Sequence, residues 1–298
     1  MTPDWPVPLR FGAWLLHERL GLGGTCEVWR ATGGDQPGEV ALKRLLPPFR
    51  DDRLLLQQFG NEVEVMRRVV SPRLPRLLAA GTDNGLPWLA TPLLAGAPSG
   101  DVAPPVPWQD ALRWLADVLD ALADLHAAGS VHGDVSPGNV WQTPDGEVRL
   151  LDLGLAMPLG SVPAQVQGTR GFRSPEQERL LPLTAQADFW AVGRLLQHWL
   201  ADAPRPAAVQ DLLVRLTAAL PSERPRDAAT VAAEPSQISA SWLPRRPLKF
   251  RFALEMTTSR SPGIRWLVMP TQVPQPAASK DAPASVRISI KPSRKAAK

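Results

Sequence analysis

The chain of 298 residues has one cysteine, Cys26, so no internal disulfide can form and a reducing compartment is expected. It has no apolar run approaching the ~20 residues that span a bilayer. Its start, Met1-Thr2-Pro3-Asp4-Trp5-Pro6, has no basic stretch leading into an apolar core, which argues against a signal peptide. No internal repeat is apparent. These absences point to a soluble, cytoplasmic protein. The length and the apolar content, 44% of residues, allow one large or two modest domains with a sizeable core.

The net charge of +4 conceals two opposite halves. From Pro235 onward 12 Lys and Arg face only Glu255 and Asp281, a balance of +10. Residues 1–234 hold the remaining 21 basic and 27 acidic side chains, a balance of −6. A basic tail on an acidic body implies either an anionic partner or the body itself as the docking surface.

Residues 11–46 read as three strands with a glycine turn after Leu20 and a Gly/Asp/Pro loop before Glu39. Leu54, Leu55, Phe59, Val63, Met66 and Val70 recur at helical spacing, which predicts a helix over 52–70. Apolar runs at 76–80 and 87–94 complete five strands. The Gly/Pro-rich stretch 96–107 then gives way to a helix over 108–127, with Leu112, Leu115, Val118, Leu119, Leu122 and Leu125 on one face. Short strands follow at 140–142 and 147–151, then helices at 185–200, 207–219 and 226–233. Residues 234–298, rich in Pro, Ser and basic side chains, read as a linker or tail. Alternation at Phe250, Phe252, Leu254 and Met256, and at Val286, Ile288 and Ile290, leaves room for short strands there.

The most informative segment is His132-Gly133-Asp134-Val135-Ser136-Pro137-Gly138-Asn139, followed thirteen residues later by Asp152-Leu153-Gly154. It sets a carboxylate, a carboxamide and a second carboxylate at fixed intervals. That trio suits phosphoryl transfer, in which one carboxylate orients the attacking hydroxyl while the other two groups hold Mg²⁺ on the phosphates. Upstream, Gly21-Leu22-Gly23-Gly24-Thr25-Cys26-Glu27-Val28 supplies glycines whose backbone N–H groups can approach phosphates closely. Lys43 follows in Val40-Ala41-Leu42-Lys43, and Glu62 lies ahead on the helix. Gly168-Thr169-Arg170-Gly171-Phe172-Arg173-Ser174-Pro175-Glu176 comes after Asp152.

Together, in this order over residues 11–233, these motifs resemble those of the bacterial Ser/Thr protein kinases, within the eukaryotic-like protein kinase superfamily. The resemblance implies ATP and Mg²⁺ as cofactors. It casts Lys43 as the phosphate-binding lysine oriented by Glu62, with Glu64 as a rival on the opposite side of the helix. Asp134 becomes the base or orienter of the substrate hydroxyl, Asn139 and Asp152 the metal ligands, and Thr169 a hydroxyl bonded near Asp134. Nucleotide contacts are implied at Gly21, Gly23, Val28, Ala41, Lys43, the gatekeeper Thr91, the hinge residues Pro92 and Leu94, and Trp141. Trp141 either stacks on adenine or blocks it. Structural roles fall to His132, to a Glu176–Arg224 ion pair, and to Asp188 as anchor of the catalytic-loop backbone.

Four departures mark a divergent member. Cys26 replaces the third glycine, which predicts a stiffer loop tip. Gly133 replaces an arginine that gathers an activation-loop phosphate, so activity without that phosphorylation is expected. Ser136 replaces a lysine that neutralises the γ-phosphate, and Trp141 replaces a leucine.

The fold class expected is α+β and bilobal: a small antiparallel five-stranded N-lobe with one helix, and a shortened, mainly helical C-lobe. Residues 1–10 form an arm, 11–96 the N-lobe, 97–233 the C-lobe and 234–298 the tail. The function expected is transfer of the γ-phosphoryl of MgATP to protein hydroxyls. A pseudokinase or nucleotide-binding scaffold is the alternative, and a small-molecule kinase, which the Gly168–Glu176 segment disfavours, is a third reading. The partners are a protein substrate of unknown identity, possible intramolecular docking of the tail, and a possible anionic partner of the tail.

Overall fold

The structure is a computed structural model that describes residues 8–242. The tail beyond 242, with its alternating apolar runs, lies outside the described residues.

The small lobe is built on one antiparallel sheet. Its strands are β1 (Leu9–Phe11), β2 (Trp14–Leu22), β3 (Cys26–Gly33), β4 (Gln36–Leu45), β5 (Ala79–Asp83) and β6 (Leu86–Pro92), in the spatial order β1-β2-β3-β4-β6-β5. Six strands form where five were expected. The extra one is β1, which pairs Leu9 with Leu16 and Phe11 with Trp14, so part of the presumed arm joins the sheet. Alternation sets the faces. Phe11, Trp14, Leu16, Trp29, Ala31, Val40 and Leu42 pack with Leu86 and Ala90 into a core of their own. Arg44 closes its edge, lying 4.6 Å over the Phe11 ring and paired with buried Glu27 at 2.7 Å.

Between β4 and β5 runs α1 (Arg53–Arg68). Asp52 caps it by accepting the amides of Leu54 and Leu55, and Arg67 and Arg68 complement the dipole in its last turn. Its Phe59, Val63, Val65 and Met66 belong to the cluster that joins Leu89 of β6 to the large-lobe core. Its position is therefore set by both lobes.

The large lobe is organised on α2 (Trp108–Ala127), in which Leu112, Leu115, Val118, Leu119, Leu122 and Leu125 are all fully buried. Truncating any of these leucines to Ala would cost about 2–5 kcal/mol. Gly129 ends this helix in the left-handed region at φ +78°, a conformation glycine adopts without strain. Around α2 lie two small sheets. One holds β7 (Ala97–Pro98), β9 (Val140–Gln142) and β10 (Val148–Leu150). The other pairs β8 (Ser130–Val131) with β11 (Met157–Pro158). The helices α3 (Pro175–Glu178), α4 (Ala185–Leu200), α5 (Ala207–Leu216) and α6 (Ala228–Trp242) complete it.

Helix α6 departs from expectation, continuing past 233 and through Pro235. Pro235 is buried, Ile238 packs against the main core, and Glu234 pairs with Arg215. Apolar burial and an ion pair carry the helix across a residue that ordinarily breaks one. Among the described residues no helix is long and apolar enough to cross a membrane.

Candidate active site

Where the two lobes face each other lies a cavity of about 540 Å³, within the range of small-ligand sites. Gly21, Gly23, Val28, Lys43, Glu62, Asp134, Asn139 and Asp152 all line it.

The roof is the turn between β2 and β3, closed by the Gly23 amide donating to the Cys26 carbonyl at 2.8 Å. Cys26 is not at the tip, as the sequence suggested, but begins β3 opposite Leu45. Its thiol lines the cavity, and burial raises its pKa against the pull of Lys43. Gly21 and Gly24 have no left-handed φ, and a Cβ on either would meet nothing within 4 Å. The fold itself does not call for glycine at these positions. Glycine there leaves the backbone open to close approach from the cavity.

Beneath the roof, Lys43 Nζ donates to both Glu62 oxygens at 2.9 Å and to Asp152 Oδ1 at 2.6 Å. Burial disfavours the Lys43 ammonium, but the two carboxylates outweigh it and hold the pKa above the ordinary lysine value. Burial pushes Glu62 up despite Lys43, whereas the Lys43 charge holds Asp152 below the usual carboxylate range. Asp152 thus stays ionised, with 48% of its side chain open to the cleft. Glu64 faces away, exposed, with Arg67 3.8 Å distant. Asp152 adopts φ +62°, an aspartate in the left-handed region, and its own Oδ1 accepts the Gly154 amide at 3.1 Å. Such an Asx turn makes that conformation tolerable.

On the large-lobe wall, Asn139 Nδ2 donates to the Asp134 carbonyl at 2.8 Å and to Asp134 Oδ2 at 3.0 Å. Asp134 Oδ1 accepts from Thr169 at 2.7 Å, through the backbone amide rather than the hydroxyl expected. The loop is held from two sides. Buried Asp188 accepts the amides of His132 and Gly133 at 2.8 and 2.9 Å, and also pairs with His126 Nε2 at 2.8 Å. Gln177 Nε2 donates to the Gly133 carbonyl at 2.7 Å. His132 is fully buried beside the Leu151 carbonyl, 3.2 Å away, a scaffold position.

Gly133 has φ +76°, and a Cβ there would stand 2.9 Å from the Leu155 carbonyl. Ser136 is buried and brings no cation. Sequence reasoning missed Gln177, although Ser174-Pro175-Glu176-Gln177 carries the capping-box pattern that the structure forms.

The remaining nucleotide candidates do not line this cavity. Ala41 and Thr91 are partners across β4 and β6, Pro92 is opposite Val40, and Leu94 follows β6. Trp141 lies on β9 opposite Pro98, and its indole N–H donates to the Ala95 carbonyl at 3.1 Å. That bond fixes the ring against the segment joining the lobes. Gly96 permits it, because a Cβ there would strike the Gln142 carbonyl at 2.0 Å.

Among the described residues no group of three or more His, Cys, Asp or Glu is placed to hold a metal. Asp152 and Asn139 supply two hard oxygen donors. This incomplete set fits Mg²⁺, which keeps waters and shares substrate phosphates.

Two lobes of this make, with a lysine bridging a helix glutamate and a cleft aspartate, define the protein kinase class. The chain belongs to the protein kinase domain family, whose profile matches residues 14–219. Among its relatives is the Ser/Thr protein kinase PknL of Mycobacterium tuberculosis, 29% identical over 256 residues, 74% of this chain and 64% of that one. Another is the Ser/Thr protein kinase AfsK of Streptomyces griseus, 30% identical over 262 residues, 80% of this chain and 32% of the relative. The chain therefore spans less than two thirds of the length of these relatives. The crystal structure of the M. tuberculosis PknI kinase domain shares the fold, with a TM-score of 0.64 at 23% identity over 78% of this chain and 98% of that one.

Proposed function

We propose that this chain transfers the γ-phosphoryl of MgATP to serine or threonine hydroxyls of proteins without needing phosphorylation of its own activation segment. The observation that carries the reading is Lys43 bonded to both Glu62 and Asp152, facing Asp134 and Asn139 across one cavity. Lys43 binds the phosphates and Glu62 keeps it in place. Asp134, bridged to Asn139 and Thr169, orients the attacking hydroxyl and takes its proton. Asp152 and Asn139 would hold Mg²⁺, which supplies charge stabilisation for the phosphates when bound.

Independence from phosphorylation rests on how the segment is tied. The Gly160 amide donates to the Leu183 carbonyl at 2.6 Å, that of Leu183 to the Ser161 carbonyl at 2.9 Å, and that of Leu159 to the Gly129 carbonyl at 2.9 Å. Ordering by phosphate needs a cationic partner. Gly133 provides none, and Arg173 is already paired with Glu178 at 2.8 Å.

A nucleotide-binding scaffold is the second reading, favoured by Ser136, which leaves the γ-phosphate without the cation usual in this family. The setting proposed is the cytoplasm, with the basic tail docking on the acidic body or on an anionic partner. The test is label transfer from γ-labelled ATP to a generic protein substrate by wild type and Asp152→Ala. Transfer that the variant loses is the expected result. Nucleotide binding without transfer by wild type points to the scaffold.

A further inference from the structure

Gln58 stands on α1 one turn before Glu62, on the same side of the helix, and lines the cavity. Its Nε2 donates to Gln167 Oε1 at 2.8 Å. Gln167 belongs to the activation segment. Two residues later the Thr169 amide reaches Asp134. A continuous chain of contacts therefore runs from Lys43 through Glu62, along one turn of α1, across the amide pair and into Asp134.

We propose that the Gln58–Gln167 pair is an uncharged clamp that holds α1 in the position presenting Glu62 to Lys43. Both are positioning residues for the transfer read above, and the inference rests on that reading. Two other polar ties join α1 to the large lobe: Glu62 itself accepts from the Leu153 backbone, and Arg68, in the last turn, donates from Nη2 to Ser130 Oγ at 2.9 Å. Without Gln58, the helix would keep its apolar contacts and the Leu153 bond to Glu62 but lose this tie to the segment whose Thr169 amide reaches Asp134. A neutral pair also fits the charge pattern, because Gly133 leaves no arginine beside Asp134 to gather a phosphate and the pair needs none. An amide can reverse its oxygen and nitrogen. Gln58→Glu therefore keeps an acceptor for a turned Gln167, whereas leucine at either position ends the bond.

The test uses the full chain after phosphatase treatment, as wild type, Gln58→Leu, Gln167→Leu, the double variant and Gln58→Glu. Each leucine variant is expected to lower kcat/KM by about 2- to 12-fold, the worth of one net hydrogen bond. The double variant is expected to be no worse than the worse single, and Gln58→Glu, which keeps the bond, to lose less than Gln58→Leu. Amide hydrogen exchange across Phe59–Met66 is expected to quicken by a similar factor, with α2 unchanged. Losses that simply multiply in the double variant, unchanged exchange in α1, or equal acceleration in α2 would each overturn the clamp. Should wild type transfer no phosphate, the kinase reading fails, and the exchange measurement alone still decides the clamp.

Discussion

Replacing Glu176 with alanine strands a charge in the interior of the large lobe. The Arg224 side chain has 0% exposure and that of Glu176 5%, and their bonds are bidentate at 2.6 and 3.1 Å. Arg224 also donates to the carbonyls of Ala218, Gln186 and Ala219 at 2.8, 2.7 and 3.2 Å, and lies 5.1 Å over the Trp190 ring. Removing one partner of a buried pair costs about 3–5 kcal/mol. The three carbonyls soften the loss, so the lower end, about 3 kcal/mol, is expected. At roughly 2–4 °C per kcal/mol for a domain of this size, the melting temperature falls by about 6–12 °C. Thermal unfolding followed by circular dichroism reads this directly. Glu176→Gln keeps the shape and an acceptor and should fall between. The double variant Glu176→Leu/Arg224→Met removes both charges but leaves the three carbonyls without this donor, so it should recover only part of the loss. A Glu176→Ala cost under about 1 kcal/mol, or a double variant as unstable as the single changes summed, would refute the reasoning.

Ser161→Ala, which removes the only hydroxyl side chain between Asp152 and Gly168, should keep near-wild-type transfer after phosphatase treatment; a large loss would contradict phosphorylation-independence. Asp188 works through pH. Burial opposes its charge, but the bond to His126, the charges of His126 and His132 and the His132 amide outweigh it, so its folded pKa lies below the unfolded value. Its stabilisation is present above about pH 4 and is lost as pH falls through the depressed value. Asp188→Asn should therefore be less stable at pH 7 and lose that acid dependence, measured as unfolding midpoints against pH. A chain ending at Trp242 should fold as wild type, with altered basal transfer and a weaker salt dependence. One ending at Glu234 loses Ile238 from the core and should melt lower.

The long periodic elements were legible in the sequence. Helix α2 has the bounds that its leucine spacing predicts, because its buried face is continuous over 20 residues. Lys43, Glu62, Asp134, Asn139 and Asp152 converge as their order along the chain implied. What spacing could not show was contact made by short polar side chains between distant segments. Gln58 with Gln167, and Gln177 with Gly133, look in sequence like ordinary surface glutamines. Strand β1 escaped because three residues carry no period. Helix α6 escaped because Pro235 argues for a stop until the packing of Ile238 is seen. Thr169 reaches Asp134 by its amide, a choice that residue type cannot reveal.

The central claim is that the cleft performs phosphoryl transfer with Asp134 at the acceptor and Asp152 on the metal side. The direct measurement is label transfer from γ-labelled ATP by phosphatase-treated wild type, Asp134→Asn and Asp152→Ala, with nucleotide binding followed in parallel. The account predicts transfer by wild type, a loss of ~10²–10⁴-fold in Asp134→Asn with nucleotide binding retained, and at least ~10³-fold in Asp152→Ala. Equal transfer by all three proteins, or wild type that binds nucleotide and transfers nothing, would contradict it.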